Sequence, residues 1–184
     1  GSEQLVRPTQ FRNEKIAPGS YKAVAGTNWT VHNGFWDYPP SANQAGPHRD
    51  LRGPLHVAGI EGLGCEAIRA INDGTSNTLM VGEYHTKTSP DKKAFWASAH
   101  SFHSLGTTQR ESYTRLPDYD RCLAATGPAD RFYECHRGFA SQHAGDVINF
   151  VLCDGSVRGV LSDIDGLLFE YLGTIDGGEL IEEF

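Results

Sequence analysis

The sequence predicts one domain built from short β-strands, long loops and a short helix near the C-terminus. Its 184 residues are enough to bury a single core of ordinary size. Its 21 Gly and 9 Pro residues favour turns and loops. An apolar run at residues 147–153 meets Asp154-Gly155, after which β-branched residues resume. Because Asp-Gly between apolar runs is the strongest short-range hairpin signal, we place a hairpin at the centre of the sheet.

Three earlier stretches are also predicted to be strands. Residues 20–27 alternate moderately, residues 79–81 form a short apolar run, and residues 94–97 form another. Between the first two strands, residues 28–54 form a long irregular segment that contains Trp29, Phe35, Trp36 and Tyr38. Such long loops are often functional. The aromatic side chains either offer a platform for a ligand such as a sugar or form a cluster on which the loop folds back, and we favour the cluster.

Residues 72–78, Asn-Asp-Gly-Thr-Ser-Asn-Thr, predict a rigid turn before the second strand. The side chains of Asp73, Ser76 and Asn77 can bond to nearby backbone groups, and Gly74 tolerates turn conformations. The phosphate-binding pattern G-x-x-x-x-G-K-[ST] is absent, and Ser76 does not lie in G-x-S-x-G. The segment therefore predicts neither a nucleotide site nor a serine nucleophile.

Two histidines, His100 and His103, lie on one side of the chain if the segment that carries them is helical. As metal ligands they would need further groups at a suitable spacing, and none is nearby in the sequence. We therefore expect a solvated pair. Residues 104–138 are predicted to be mostly loop.

The four cysteines have no C-x-x-C spacing, which argues against a zinc ribbon or a thioredoxin-like motif. Cys122 and Cys135 bracket a turn-rich segment, and we predict a disulfide between them. It would close a loop of 14 residues and stabilise the fold by about 3 kcal/mol. Cys65 and Cys153 form either a second disulfide or two free thiols, since Cys153 lies in a predicted core strand. A disulfide implies an oxidising compartment outside the cytoplasm.

The first hairpin strand is apolar on both faces apart from Asn149, which is typical of a strand inside a sheet. We expect Asp154 and Gly155 to adopt positive φ in a type I′ turn. His143 precedes this strand and Asp154 follows it, about 20 Å away at the rise of a strand. The two cannot form a catalytic dyad. A general base would need a nucleophile and an orienting partner, so we expect His143 to bond to local backbone.

A short helix is predicted at residues 166–172, with Asp165 as its N-cap and Gly173 after its C-terminus. Leu168, Phe169 and Leu172 are expected to face inward. Carboxylates surround this helix, and three of them are candidate calcium ligands: Asp163, Asp165 and Asp176. Their spacing does not fit an EF-hand, and capping and solvation explain them equally well.

The net charge of −7 and the absence of a Lys/Arg cluster exclude nucleic acid as an expected partner. No run of 18 apolar residues is present, so this sequence predicts no membrane span. Gly1-Ser2 is typical of a tag remnant. We interpret residues 1–19 as a tag remnant and an N-terminal arm, the remainder of a removed helix, and residues 20–184 as a single globular domain.

Three segments in this order resemble a known family: residues 71–83, 143–157 and 172–179. The family is the bacterial pseudopilin-like group with a prepilin-type processing-associated domain named for its His-to-Asp-Gly motif. The motif residues that we expect to be structural are Asp73, Gly74, Ser76, Asn77, Glu83, His143, Asp154 and Gly155. The family motif usually has nine residues between His and Asp, whereas this chain has ten. A bulge at the start of the strand is expected to absorb the extra residue and to re-aim His143.

The resemblance implies an α+β fold, a pilin-like or pseudopilin-like head with an antiparallel β-sheet, few short helices and long loops. It also implies export to the periplasm or cell surface and a hydrophobic helix before residue 3 as the only membrane contact. No reaction is assigned to the family.

We therefore expect a non-enzymatic head that binds protein partners in a type II secretion filament, a type IV pilus-like filament or a cell-envelope complex. No cofactor is expected, apart from calcium at the candidate site. The alternative is a module on the same scaffold that binds a small solute, a sugar or calcium. A third hypothesis is a hydrolase that uses His143, or the pair His100 and His103, with Glu83.

Overall fold

The computed structural model describes residues 16–28, 35–36, 48–96, 98, 100–129 and 131–178. In these ranges the chain forms an α+β fold, as the family resemblance implies, and its sheet is mixed and five-stranded. The strands are β1 (Tyr21–Val24), β2 (Leu79–Glu83), β3 (Leu105–Gly106), β4 (Val147–Leu152) and β5 (Val157–Leu161). The helices are α1 (Tyr119–Ala125), α2 (Phe132–Arg137) and α3 (Gly166–Tyr171). Most of the predicted N-terminal arm, residues 1–15, lies outside the described residues.

The strands follow the order β3-β1-β2-β4-β5. The pairs β1–β2, β2–β4 and β4–β5 are antiparallel, but β1 and β3 are parallel. A parallel pair needs a connection of a dozen or more residues, and the long chain between β1 and β3 supplies it. The expected antiparallel sheet is therefore correct for four strands and wrong for β3.

In the hairpin, β4 and β5 are paired side by side. Val147 lies opposite Leu161 at one end, and Val151 lies opposite Val157 at the other. β4 lies between β2 and β5, which confirms its predicted interior position. The expected type I′ turn is wrong, because Gly155 (φ 86°) has positive φ and Asp154 does not. The Gly155 N–H donates to the Leu152 carbonyl at 3.0 Å, as in three-residue hairpin loops that place one left-handed residue after a turn.

One face of the sheet is covered by α3, and the main core lies between them. The rings of Phe139, Phe150 and Phe169 meet edge to face in this core, and all three are buried. Gly82 on β2 makes room for them, since a Cβ there would lie 2.2 Å from Phe150. Asp165 caps α3 by accepting the N–H groups of residues 167 and 168, as predicted. Phe169 and Leu172 are buried and Leu168 packs against the core, which confirms the expected inward face.

Residues 104–138 are more regular than the sequence predicts, because they contain β3, α1 and α2. Each helix has only six or seven residues, so neither gives a clear helical repeat. The predicted disulfide between Cys122 and Cys135 is present and joins α1 to α2. Cys65 and Cys153 are free, so the second disulfide is not formed. No helix in the described ranges has the length and apolar character needed to cross a membrane.

The predicted strand at residues 94–97 is wrong in its described part. Ala94 makes a single bridge to Gly19, and Trp96 is two-thirds exposed. In the long aromatic loop, Phe35 and Trp36 are buried, and Trp36 packs against Ile60 in a small second cluster. Both side chains are thus core residues and not an open ligand platform, but their described neighbours, such as Ile60 and Arg137, lie outside the loop and do not form the predicted aromatic cluster. Trp29 and Tyr38, which were part of the same prediction, lie outside the described residues.

Candidate functional site

The site is organised around Glu83, the last residue of β2, and His143, in the loop before β4. The ring Nε2 of His143 lies 2.9 Å from Oε1 of Glu83. The other carboxylate oxygen of Glu83 accepts the Asn149 N–H at 2.8 Å, which fixes the carboxylate on the sheet. The Glu83 side chain is only 14% exposed, whereas that of His143 is 55% exposed. The prediction that His143 bonds to local backbone is therefore wrong for its ring, which bonds to a carboxylate sixty positions away.

The loop that carries His143 is held by its own polar groups. The Ser141 hydroxyl donates to the Val147 carbonyl and accepts the His143 N–H. Gly145 and Asp146 both have positive φ, at 83° and 54°. Asp is one of the few residues with a side chain that visits this conformation readily. The pairing of β4 and β5 is regular from Val147 onward, so the bulge expected at the start of β4 is absent; the bulge lies in β2 instead.

Two cavities meet at this loop and share Ser141, Gln142 and His143. The smaller, about 270 Å³, is also lined by Ser20, Glu83, His85 and Ala140. The larger, about 400 Å³, is also lined by Lys87, Pro117, Asp118, Arg121 and Asp146. Together they form one open groove, the His143 groove, along the end of the sheet.

The charged groups of the His143 groove have different surroundings. Burial opposes ionisation of Asp118, but hydrogen bonds from Thr88 and Asp120 outweigh it and hold the pKa of Asp118 below its usual range. Burial, with help from the charge of Lys93, lowers the pKa of His85, so this imidazole is neutral at neutral pH. The groove can therefore present a fixed carboxylate, a neutral imidazole and the cations of Lys87 and Arg121.

The motif residues lie at two opposite ends of the central strands. Glu83 and His143 lie at one end, and the turn with Asp73 and the Asp154-Gly155 turn meet at the other. There the Asp154 N–H donates to the Thr75 carbonyl at 3.0 Å. Asp154 itself accepts the N–H and hydroxyl of the residue two positions later.

The Asp73 turn also holds the third motif segment. Its carboxylate accepts the N–H groups of Gly177 and Gly178, each at 2.9 Å. Asn77 donates to the Asp73 carbonyl, and the Thr78 hydroxyl donates to the Gly74 carbonyl. Ser76 lies exposed in the same turn. These contacts make the segment a rigid turn, as its composition predicts, and they also hold the third motif segment in place.

The three candidate calcium ligands have separate roles. Asp165 caps α3, Asp176 bonds to Asn72 at 2.7 Å and lies near Arg52, and Asp163 lies in the turn after β5. Among the described residues, no three His, Cys, Asp or Glu side chains are grouped so that they could hold a metal ion. The geometry does not assemble the calcium site that the sequence suggested.

The predicted solvated pair of histidines is wrong for His103, which is 1% exposed, and correct for His100, which is exposed. The ring of His103 packs against Phe95, and it lies 6.4 Å from the ring of His136. Burial and the nearby charge of Lys22 lower the pKa of His103 to about 4 and that of His136 to about 2. These imidazoles are neutral core residues.

The second face of the sheet is apolar and partly open. Two further cavities, about 450 and 340 Å³, share Pro54, Leu55 and Glu66 and reach Met80 on β2, Ala23 on β1 and Leu105 on β3. We call this surface the apolar groove. Glu66 is paired with Arg52 at 2.9 Å and His56 at 3.0 Å, and Asp154, a second carboxylate in the larger cavity, accepts hydrogen bonds from Ser156. The free Cys65 and Cys153 each line one of the two cavities, and burial raises the pKa of Cys153 to about 11.

The sequence analysis did not identify some of these residues. Lys87 and Arg121 stand in polar segments with no pattern that marks a site. The burial of Lys22 could have been predicted, because alternation along β1 places it on the same side as Val24. Both residues are buried in the structure. Glu83 and His143 were singled out by the resemblance, but their contact depends on tertiary structure.

The profile of one protein family matches residues 7–167 of the chain. The family is SBP_bac_10, described as a protein of unknown function (DUF1559). No curated protein and no solved structure shows significant similarity to the chain.

Proposed function

The chain belongs to the DUF1559 family of proteins of unknown function, and from that premise we propose a non-enzymatic, exported, pseudopilin-like head. Its work is structural: it assembles with protein partners in a type II secretion filament, a type IV pilus-like filament or a cell-envelope complex. The membrane contact of the natural protein is a hydrophobic helix that precedes residue 3.

The observation that carries this proposal is the concentration of exposed apolar side chains around the apolar groove. Leu55, Ile68 and Trp96 line or border it, with 39%, 74% and 66% of their surface exposed. The same sheet face continues to Tyr21 and Val157, which are also exposed. Monomeric soluble proteins rarely leave large contiguous apolar patches open, and such patches mark interaction sites.

The occupant of the apolar groove is an uncharged, apolar segment of a neighbouring protein subunit. Charge supports this choice, because Glu66 is the carboxylate common to both cavities and is already paired with Arg52 and His56. A charged partner would find no unpaired opposite charge at Glu66, whereas an apolar partner would remove Ile68 and Trp96 from water. Burial of apolar surface is the dominant favourable term in most protein association.

The disulfide supports the exported location. Cys122 and Cys135 are joined, and disulfides form and persist in oxidising compartments.

The non-enzymatic role is supported by the surroundings of His143. The Ser141 hydroxyl, the nearest candidate nucleophile in the loop, donates to the Val147 carbonyl and is therefore occupied by the fold.

The assembly role is tested by site-specific photo-crosslinking in cells of the source organism. A photoreactive phenylalanine at Ile68 is expected to give adducts with identified filament or envelope subunits. The matched control is the same residue at Tyr133, which is 49% exposed on α2. Adducts of equal yield from both positions, or none from position 68, would contradict the assembly role.

A second candidate function is binding of a small solute on the same scaffold. The observation that favours it is the His143 groove, where a carboxylate orients a half-exposed histidine between two cavities. A variant that loses solute binding but still crosslinks at position 68 would separate the two functions. A variant that keeps solute binding but no longer crosslinks there would separate them as well. A hydrolase would instead lose turnover in His143→Ala.

A further inference from the structure

We infer that the His143 groove binds solutes that carry an oxyanion group, a carboxylate or a phosphate, through Lys87 and Arg121, while His143 binds a hydroxyl group of the same solute. This inference gives the second candidate function its ligand class and rests on it. It does not depend on the assembly role, because the apolar groove is lined by different residues.

The orientation of His143 is the first step. Its Nε2 lies against Glu83 Oε1, and the other oxygen of Glu83 is held by the backbone of Asn149. The neutral ring therefore carries its proton on Nε2, and Nδ1 presents a lone pair away from the carboxylate. The ring lines both cavities and is half exposed. Nδ1 can therefore accept a hydrogen bond from a hydroxyl group of a solute in the groove.

The cations of Lys87 and Arg121 are the second step. Both side chains are exposed and line the larger cavity. Neither forms an ion pair with any residue in the described part of the chain. Asp118 lines the same cavity, but its oxygens accept hydrogen bonds from Thr88 and Asp120. An oxyanion is the group that complements two cations of this kind.

The other groups of the His143 groove bear on the polarity of the solute. Asp146 is the other carboxylate of the larger cavity, and it lies in the left-handed turn after His143. In the smaller cavity, His85 is neutral and bonds to Gln142, and Ser20 supplies a hydroxyl. This cavity suits the uncharged hydroxyl groups of a solute, such as the ring of a sugar. The ligand class is a small polar solute with one acidic group.

The test compares matched neutral and acidic sugars. Binding of glucose, glucuronate and glucose 6-phosphate is measured by NMR titration of the 184-residue chain at pH 6.5. We expect at least one acidic sugar to bind tenfold or more tightly than glucose and to shift the His143 ring resonances. Glucuronate and glucose 6-phosphate separate a carboxylate ligand from a phosphate ligand.

Variants identify the groups responsible. Lys87→Ser and Arg121→Ser are each expected to weaken binding of the acidic sugar by about tenfold and to leave that of glucose unchanged. The matched control is Arg158→Ser on β5, which is expected to change neither. Equal affinity for glucose and the acidic sugars, no measurable binding of either acidic sugar, or an equal effect of Arg158→Ser would overturn the inference. Equal affinity for neutral and acidic sugars would leave solute binding itself standing.

Discussion

The ammonium group of Lys22 lies 3.6 Å from the centroid of the Tyr84 ring, and both side chains are buried. Lys22 also donates to the His136 carbonyl oxygen. Burial raises the pKa of Tyr84, so its ring stays neutral and offers its π face to the cation. The positive charge held there disfavours a second positive charge on His103 or His136.

The first prediction is a loss of stability between pH 6.5 and 5. The pKa values of His103 and His136 are about 4 and about 2 in the folded protein, below the ordinary value near 6.5. As pH falls below 6.5, the unfolded chain binds protons that the folded chain does not, so the free energy of unfolding decreases. The expected slope is on the order of 1 kcal/mol per pH unit for each histidine, measured by urea unfolding.

Two variants control this pH prediction. His103→Asn removes one of the two buried imidazoles and is expected to halve the slope. His100→Asn changes an exposed imidazole and is expected to leave it unchanged. A free energy of unfolding that stays constant from pH 7.5 to 5 would rule out neutral buried histidines as the source of acid sensitivity.

The second prediction concerns the disulfide between Cys122 and Cys135. Replacing both by Ala is expected to lower the free energy of unfolding by about 3 kcal/mol, because the unfolded chain regains the freedom of a 14-residue loop. Chemical denaturation with and without reductant measures the loss, and the double variant should be insensitive to reductant. Cys65→Ser is the control, since this thiol is free and exposed. A change below 1 kcal/mol in the double variant would contradict the prediction.

The third prediction is that Gly82→Ala destabilises the core. A Cβ at Gly82 would lie 2.2 Å from the Phe150 ring and 2.7 Å from the Phe139 ring. The rings must shift from their edge-to-face packing, which typically costs about 1–3 kcal/mol. The control is Gly64→Ala, where the added Cβ meets no atom within 4 Å. Equal thermal midpoints for the two variants would show that the core accommodates a methyl group at position 82.

The fourth prediction separates capping from calcium binding at Asp165. Asp165→Ala removes the acceptor for two N–H groups at the start of α3 and is expected to cost about 1 kcal/mol. Asp165→Asn keeps an acceptor oxygen and is expected to retain most of that stability. If calcium raises the thermal midpoint of the parent chain but not of Asp165→Asn, the residue has a metal role in addition to its cap.

Local signals in the sequence predicted much of the sheet. The Asp154-Gly155 signal located β4 and β5, the apolar run at 79–81 located β2, and the Asp165 cap located α3. Each of these depends on residues that are close together in the chain. The turn type was wrong because the loop has three residues, 153–155, between the bonded Leu152 and Ser156, and Gly155 has positive φ whereas Asp154 does not.

The features that were missed depend on tertiary contacts. α1 and α2 are too short to show a helical repeat, and a disulfide and a buried histidine hold them in place. His103 was predicted to be solvated because no further metal ligand stood at a suitable spacing in the sequence, yet Phe95 covers its ring. The contact between Glu83 and His143 joins the end of β2 to the loop before β4. No local sequence pattern predicts a contact between segments so far apart in the chain.

β5 is one of the two outermost strands of the sheet, and one of its edges has no neighbouring strand in the described fold. A bare edge of this kind can recruit further copies of a protein into aggregates. Arg158 and Gly159, in the middle of β5, oppose such recruitment, because like charges would stack and glycine is a poor strand former. Arg158 and Gly159 thus limit association along this rim, which the exposed Val157 and Leu161 would otherwise favour.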